Sequence, residues 1–428
     1  MKRALLFVIL LATSLLVIPP VAATAAGTCT VPFATAGYPP GWKQVSDTPD
    51  NWTQTDGVVW AADFLYTPGG PFIVVGGNFT KLVEPNGTQV PARNLGVVRL
   101  SDGKVVWGAT SMTGYVKAIQ ARNGVTYVAG SFTAINGIAR KQVAAFSAYS
   151  YGMLPWAPVV TQTAQVRSIQ ASDAGVLYVA GDSSVMAFST SSAARLWTMH
   201  ADNGPVMTLL LSPDQQGLYV GGFFSGLDGG NIPMLVAVYP INSHKVDPGF
   251  NPHLRPNSTV GNYDGEIPMS PAWDTSIPGQ LRLSLGTGGG LTNTVQSINP
   301  FNGAKYWTYN TEGDTQALAM VGNTILTGFH RSHGNLSGCP FWYYGTQWAS
   351  NDPGYVLPWN PGLSGKPSTS AGASKQNGGI EDIIVDSGTR KVYVLGDFSF
   401  YGQTCNYDLL QCTGGSPRRG IARYSILN

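Results

Sequence analysis

Residues 73–80 read IVVGGNFT, a short phrase of strand residues, glycines and a phenylalanine that recurs along the chain. Clear copies lie at 127–133, 219–224 and 393–398, and weaker ones at 178–182, 283–286 and 325–329. The glycines that we take to close these strands, about 53 residues apart on average, are Gly77, Gly130, Gly181, Gly222, Gly286, Gly328 and Gly396. A repeat of this length in a strand-rich chain is typical of propellers and solenoids.

The second copy shows the repeating unit most clearly. Residues 116–120, 126–129 and 142–146 read as three short strands, and residues 153–158 lead into a fourth. Glycine, asparagine and proline turns separate the strands, as in a propeller blade. Since no stretch after the N-terminal segment has a sustained helical period, we expect an all-β fold. The repeat predicts a seven-bladed β-propeller of four-stranded antiparallel blades.

The two chain ends are expected to complete the ring together. Residues 420–426 read as the third strand of a unit, so the last blade lacks its outer strand. A spare strand at about residues 41–55 is predicted to supply it and close the ring, which would remove exposed edges. Blade five matches the repeat least well. Its first strand is expected between Glu266 and Trp273, where Pro268 and Pro271 make it irregular.

The first 26 residues have the pattern of a secretory signal peptide. Lys2 and Arg3 precede an apolar run at 5–18, and small residues at 22–26 offer a cleavage site. The run is shorter than the roughly 20 apolar residues of a membrane span. We therefore expect a single mature domain at 27–428, without a membrane span, that is secreted into the extracellular space or held at the cell surface.

Charge and composition exclude one class of partner. Removing Lys2 and Arg3 with the signal leaves 23 basic and 23 acidic residues, so the mature chain is neutral. A nucleic-acid partner needs a basic surface and is not expected. Charged residues form only 11% of the chain, against about 25% in ordinary globular proteins. We expect a monomer that needs no cofactor.

The four cysteines suggest two disulfides, because an even number in an exported chain favours pairing. Cys405 and Cys412 lie in one glycine-rich segment and are expected to pair, which would leave Cys29 with Cys339. A single local disulfide with two free thiols is the alternative. The cysteine spacing does not suit a zinc site.

The glycine and phenylalanine phrases resemble those of a known group. Gly76-Gly77-Asn78-Phe79-Thr80, Gly130-Ser131-Phe132-Thr133 and the Leu-Pro-Trp segments at 154–156 and 357–359 are similar to secreted bacterial propellers with GG-x-F repeats. Such propellers are common in actinobacteria and are related to delta-60 repeats and to fungal cortical polarity-marker proteins. The resemblance covers nearly the whole mature chain. It implies a propeller fold and no shared enzymatic activity.

A first candidate site lies at the second residue of each predicted first strand. These positions are expected to face one end of the ring, where propellers usually bind ligands. Six of them are Trp60, Lys117, Arg167, Met207, Gln316 and Glu381; the residue of blade five cannot be assigned from the sequence. Lys117 and Arg167 suit an anionic or hydroxyl-rich ligand. The alternative is a rim of solvated charges and salt bridges.

A second candidate site is the long insertion at 330–348. It contains His330, His333, Trp342, Tyr343 and Tyr344, and such aromatic side chains stack on sugar rings or anchor protein partners. The alternative is that they form a local core. Two histidines without nearby carboxylates are weak evidence for a metal, so no metal is expected there; calcium in the central channel is left open.

The favoured function is a secreted, non-catalytic binding or scaffold module for an extracellular glycan or protein. The alternative is a carbohydrate-active enzyme, a glycoside hydrolase or lyase, with carboxylates such as Asp63, Asp382 and Glu381 at the channel mouth. Two carboxyl groups at a suitable separation would be required. A serine-nucleophile elbow is missing from the sequence, so hydrolysis by that route is not expected.

Overall fold

The computed structural model describes residues 43–46, 48–162, 164–239, 244–254, 266–275, 279–288, 293–310, 314–330, 345–349, 356–357, 363–364, 379–406 and 411–427. These residues form strands, turns and loops, with no helix among them, which confirms the expected all-β class. None of the described segments provides a helix that could cross a membrane.

Seven antiparallel sheets of the described residues share one plan, in which strands follow one another in chain order from the first strand outward. Sheet 1 contains Val58–Thr67, Gly70–Asn78, Leu95–Arg99 and Val105–Gly108; sheet 2 contains Val116–Arg122, Val125–Gly130 and Val143–Ser147; sheet 3 contains Val166–Ala171, Val176–Gly181, Ser184–Ser189 and Arg195–Asp202; sheet 4 contains Val206–Leu211, Leu218–Gly222, Leu235–Tyr239 and Lys245–Val246. Sheet 5 contains Ile267–Asp274, Arg282–Gly288, Thr294–Ile298 and Lys305–Asn310; sheet 6 contains Asp314–Val321, Thr324–His330, Gly345–Ala349 and Val356–Leu357; sheet 7 contains Ile380–Asp386, Lys391–Gly396 and Ile421–Ser425.

Shorter strands form small separate sheets or extend one of the seven. They are Gln54–Thr55 with Lys81–Val83 and Gln89–Pro91, Ala134–Ile135 with Ile138–Ala139, Gly226–Leu227 against the last strand of sheet 3, and Leu363–Ser364 with Phe400–Asn406 and Gln411–Pro417. In sheet 2, Met153 makes a single bridge to Phe146 where a fourth strand was predicted.

The core lies between consecutive sheets. Apolar side chains on facing strands form clusters that each join two neighbours, and one of them joins sheet 7 to sheet 1 through Tyr393, Leu395, Val59 and Ile73. The first strands of consecutive sheets are also in contact, as are those of sheets 1 and 7. Full burial of one large apolar side chain stabilises the fold by about 1.5–3 kcal/mol, so each interface contributes substantially.

The closing glycine of the repeat is required by close backbone contact. A Cβ atom built on Gly77 would overlap the carbonyl oxygen of Val58, which lies just before the irregular part of the first strand. Gly130 meets the carbonyl oxygen of Tyr115 in the same way. The equivalent contacts are Gly181 with Gln165, Gly222 with Pro205 and Gly396 with Gly379. At these five positions a larger residue would push the first two strands of the sheet apart.

Two of the glycines assigned to this position in the sequence do not occupy it. Strand register places Gly286 and Gly328 one residue earlier, and the closing positions of sheets 5 and 6 are Thr287 and Phe329. A Cβ atom on Gly286 would instead meet Thr315 of the next sheet. The first glycine of the phrase therefore allows two neighbouring sheets to pack closely. The second allows close contact between the first two strands of one sheet.

Residues in the range 44–50 lie against the last strand of sheet 7. Val45 forms an antiparallel bridge with Ile426, and the N–H of Leu427 donates to the carbonyl oxygen of Gln44 at 2.8 Å. The carboxylate of Asp50 pairs with Lys391 at 2.8 Å and with Arg423 at 2.7 Å. These contacts lie within the region predicted to supply an additional strand.

We predict that Gly130→Ala destabilises the protein by about 1–3 kcal/mol, because the new methyl group would press on backbone rather than on a movable side chain. Urea denaturation would measure the loss. Gly69→Ala is the matched control: Gly69 lies in an exposed turn, where a Cβ atom would make ordinary contact with Thr67 Oγ1 at 3.5 Å and Phe72 Cζ at 4.0 Å. Equal free energies of unfolding for the two variants would contradict this explanation of the repeat.

A second prediction concerns the cysteines. Cys405 and Cys412 are directly opposite each other in register on the hairpin of Phe400–Asn406 and Gln411–Pro417. Opposed residues of an antiparallel pair have Cα atoms about 4.5–5.5 Å apart, within the range that a disulfide spans. We expect a non-reduced digest to contain a peptide linking the two; two separately alkylated thiols would contradict it. Cys29 and Cys339 lie outside the described residues.

Candidate functional site

Each first strand of the seven sheets carries a β-bulge directly after the residue that pairs with the closing position of the second strand. At each bulge, one residue of the first strand has no partner on the second strand. These unpaired residues are Trp60, Lys117, Arg167, Met207, Met269, Gln316 and Glu381, here called the bulge ring. Six of them are the residues proposed from the sequence, and Met269 is the missing member from sheet 5.

A bulge explains why these side chains are available. Two residues of the bulged strand face one residue of its partner, which bends the strand and redirects the extra side chain away from the regular alternation. All seven side chains are partly exposed, although residues on either side, such as Val59 and Ala61, are buried. Each of the seven sheets therefore offers one partly exposed side chain near the start of its first strand.

An aromatic and cationic cluster joins the first three sheets within the bulge ring. The ammonium group of Lys117 lies 4.0 Å from the centre of the Trp60 ring. Tyr115 packs edge-on against Trp60 with ring centres 4.8 Å apart, and its hydroxyl donates to Gln165 Oε1 at 3.0 Å. A cation over an indole face is attractive because the face carries negative quadrupole density. Lys117 is thus held in a defined position.

The charges of the ring influence one another. Burial lowers the pKa of Lys117; the negative charge of Glu381 opposes this effect, and the positive charge of Arg167 adds to it. Arg167 Nη2 lies 3.5 Å from Asp182 Oδ1. The other carboxylate oxygen of Asp182 accepts the backbone N–H groups of Ala164 and Gln165, at 2.7 and 2.9 Å. Arg167 is therefore already partly neutralised by its own sheet.

Below the bulges, polar side chains join the first strand of sheet 7 to that of sheet 1, and the first strands of sheets 1 to 4 to one another. Asp63 Oδ2 accepts the N–H of Ala121 at 2.7 Å, and Ser168 Oγ accepts the N–H of Leu209 at 3.0 Å. The same link runs from Asp382 to Ala62, from Gln120 to Ala171 and from Gln170 to Leu211. Because the first strand is a sheet edge, its outward N–H groups need such acceptors. The sequence analysis missed this role for Gln120, Ser168 and Gln170, although their alternate spacing was a usable signal.

Asp63 and Asp382 therefore serve the fold, and their surroundings alter their acidity. Burial raises the pKa of Asp63 to about 6, against the lowering effect of the N–H groups of Ala121 and Phe64. Burial raises the pKa of Asp382 to about 7, and the negative charges of Asp63 and Glu381 add to this effect. Both groups change charge in the neutral pH range, unlike ordinary aspartates.

The second candidate site is mostly outside the described residues, as are His333, Trp342, Tyr343 and Tyr344. The backbone of His330 ends the second strand of sheet 6, where it pairs with Asp314. Within the described part of the chain, no group of three or more histidine, cysteine, aspartate or glutamate side chains is arranged to hold a metal ion. The role of this insertion stays a prediction.

Comparison with known proteins supports the fold alone. No family model matches the chain, and no curated relative does. A chain of the mitotic checkpoint complex is similar in structure, with a TM-score of 0.53 and 12% sequence identity, over 92% of this chain and 96% of that one. The computationally designed Ika8 protein gives a TM-score of 0.49 and 11% identity, over 87% and 98%. The likeness to the checkpoint chain shows a propeller-like, all-β fold.

We predict that Asp382→Asn changes how stability depends on pH. The folded pKa of Asp382 lies above its unfolded value, so its contribution to stability is full below about pH 4 and is lost as pH rises to about 7. Asparagine keeps an oxygen for the N–H of Ala62 and does not ionise. The variant's melting temperature relative to wild type should therefore rise from pH 4 to pH 7 and then level off. Parallel curves would contradict the burial of this carboxylate.

Proposed function

We propose that the protein is a secreted, non-catalytic β-propeller that binds an extracellular glycan or protein at the bulge ring. The observation that carries the proposal is that a bulge occurs at the same position of all seven first strands. Such bulges are common beside functional sites because they redirect side chains. The export assignment rests on the N-terminal sequence, which lies outside the described residues.

The proposal includes a ring of seven blades closed by the N-terminal segment. Contacts between the first strands of sheets 7 and 1 support this closure, as does the apolar cluster between those sheets. Further support comes from the hydrogen bonds between Val45 and its neighbours and the last strand of the chain. A closed ring holds the seven bulges at fixed separations, which lowers the entropic cost of binding.

The chemistry of the bulge ring suits recognition. Trp60 offers a large amphipathic surface, and Met207 and Met269 offer flexible apolar contacts that adapt to different shapes. Lys117 and Glu381 add opposite charges on the two sides of Trp60. A mixture of aromatic, thioether and charged groups on a rigid scaffold is typical of a binding surface.

The enzyme alternative has less support. A glycosidase requires one carboxyl group to protonate the leaving group and another to act as a nucleophile or base. Asp63 and Asp382 have raised pKa values, but their oxygens accept backbone N–H groups between sheets. Using them in catalysis would break contacts that connect the first strands. Binding without turnover is therefore the favoured function.

The experiment that tests the proposal is a screen of the mature protein, residues 27–428, against a glycan array and against extracellular proteins of the host. Trp60→Ala and Met269→Ala should each weaken the strongest interaction about tenfold, a typical loss for a binding hot spot. Tyr149→Ala removes an aromatic side chain that is 66% exposed at a turn of sheet 2, and it should bind like wild type.

Further variants locate the site. If Trp342→Ala and Tyr344→Ala abolish binding while both bulge-ring variants bind normally, the binding site is in the insertion at 330–348 and the assignment to the bulge ring is wrong. Release of shortened products from a bound glycan would replace the binding function by the enzyme alternative.

A further inference from the structure

Lys117 presents an ammonium group at the bulge of sheet 2. It is partly buried and lies over the Trp60 ring, yet among the described residues no carboxylate pairs with it and no oxygen accepts from it. An ammonium group has three donors. The ammonium nitrogen is not among the fully buried side-chain atoms without a hydrogen-bond partner, so it reaches solvent and its donors are accessible to an acceptor supplied from outside the chain.

Glu381 of sheet 7 presents a carboxylate, opposite in charge to the Lys117 ammonium group. It is partly buried at its bulge, and no described residue donates a hydrogen bond to its carboxylate or forms an ion pair with it. Its charge nevertheless acts on Lys117. Lys117 and Glu381 belong to the sheets on either side of the one that holds Trp60, and neither has a hydrogen-bond or ion-pair partner among the described residues.

The charged side chains near Trp60 occur in pairs of opposite sign. Lys117 is offset by Glu381, and Arg167 is offset by Asp182 at 3.5 Å. Repulsion by Glu381 would offset the attraction of a strongly anionic ligand to Lys117. Repulsion by Lys117 would likewise offset the attraction of a cationic ligand to Glu381. A neutral hydroxyl group suits both partners, because it can donate to a carboxylate and accept from an ammonium at the same time.

We propose that the bulge ring binds a neutral, hydroxyl-rich sugar ring, with hydroxyl groups that accept from Lys117 and donate to Glu381. Met207 and Met269 supply the apolar surface for the C–H face of the sugar. This inference rests on the proposed function, and it narrows the ligand from glycan or protein to an uncharged oligosaccharide.

The test is isothermal titration of the mature protein with cellohexaose, chitohexaose, maltohexaose and mannohexaose, and with trigalacturonate as the acidic comparison. At least one neutral oligosaccharide should bind, more tightly than trigalacturonate. Its affinity should change little between about 0.05 and about 0.5 M salt, because no net charge is neutralised on binding.

The matched variants are Lys117→Met and Glu381→Gln, alone and together. Each single change should weaken binding about tenfold, and the double change should cost less than the two losses combined, because the residues act on the same ligand groups. Lys104→Met removes an exposed lysine in a turn of sheet 1 and should bind like wild type. Circular dichroism and melting curves show whether each variant is folded.

Three results would overturn the inference: no neutral oligosaccharide binds, trigalacturonate binds most tightly with steep salt dependence, or both single variants bind like wild type. Its failure is distinguishable from that of the proposed function. If an extracellular protein binds and Trp60→Ala abolishes that binding, the proposed binding function stands and the sugar inference is wrong. If neither a neutral oligosaccharide nor an extracellular protein binds, both the sugar inference and the proposed function are wrong.

Discussion

The β-bulge near the start of each first strand is the constraint on which the rest of the structure depends. In five of the seven sheets a carbonyl oxygen just before the bulge lies so close to the second strand that only glycine fits opposite it, as at Gly77 and Gly130. The bulge also releases one side chain per sheet from the regular alternation of the strand. In those five sheets the closing glycine and the proposed binding residue accompany the same backbone feature, whereas sheets 5 and 6 keep the bulge with Thr287 and Phe329 at the closing position.

The same strands explain where the buried polar groups are used. The first strand of every sheet is an edge, and an edge exposes N–H groups that would otherwise stay unsatisfied. Asp63, Ser168 and Asp382 accept some of these groups across the gap between sheets. Asp63 and Asp382, two of the carboxylates that first suggest catalysis in the sequence, thus connect the scaffold.

Much of the fold could be predicted from the sequence, because the repeat records backbone contacts that only glycine permits. The sequence located the strands of the best copies and six members of the bulge ring. It failed at sheet 5, where Pro268 and Pro271 obscure the usual pattern and Met269 could not be recognised. It also misplaced the closing position at Gly286 and Gly328. Where a copy of the repeat has only one glycine, the sequence does not show which of the two glycine positions that residue occupies.

The links between sheets were beyond sequence reasoning for a different reason. An acceptor such as Gln120 is chosen by the backbone N–H of a residue about 50 positions away, and many side chains can fill that role. Binding residues are difficult to identify for a similar reason, because the bulge fixes the position and leaves the residue type free. This is why one position holds tryptophan, lysine, methionine and glutamate in different sheets.

The most direct test of this account is a crystal structure of the mature protein soaked with the neutral oligosaccharide that binds most tightly. The account predicts electron density for a sugar ring at the bulge ring, with oxygens within hydrogen-bond distance of Lys117 Nζ and the Glu381 carboxylate. Density for the sugar at another surface, with Lys117 and Glu381 in contact only with water, would contradict it.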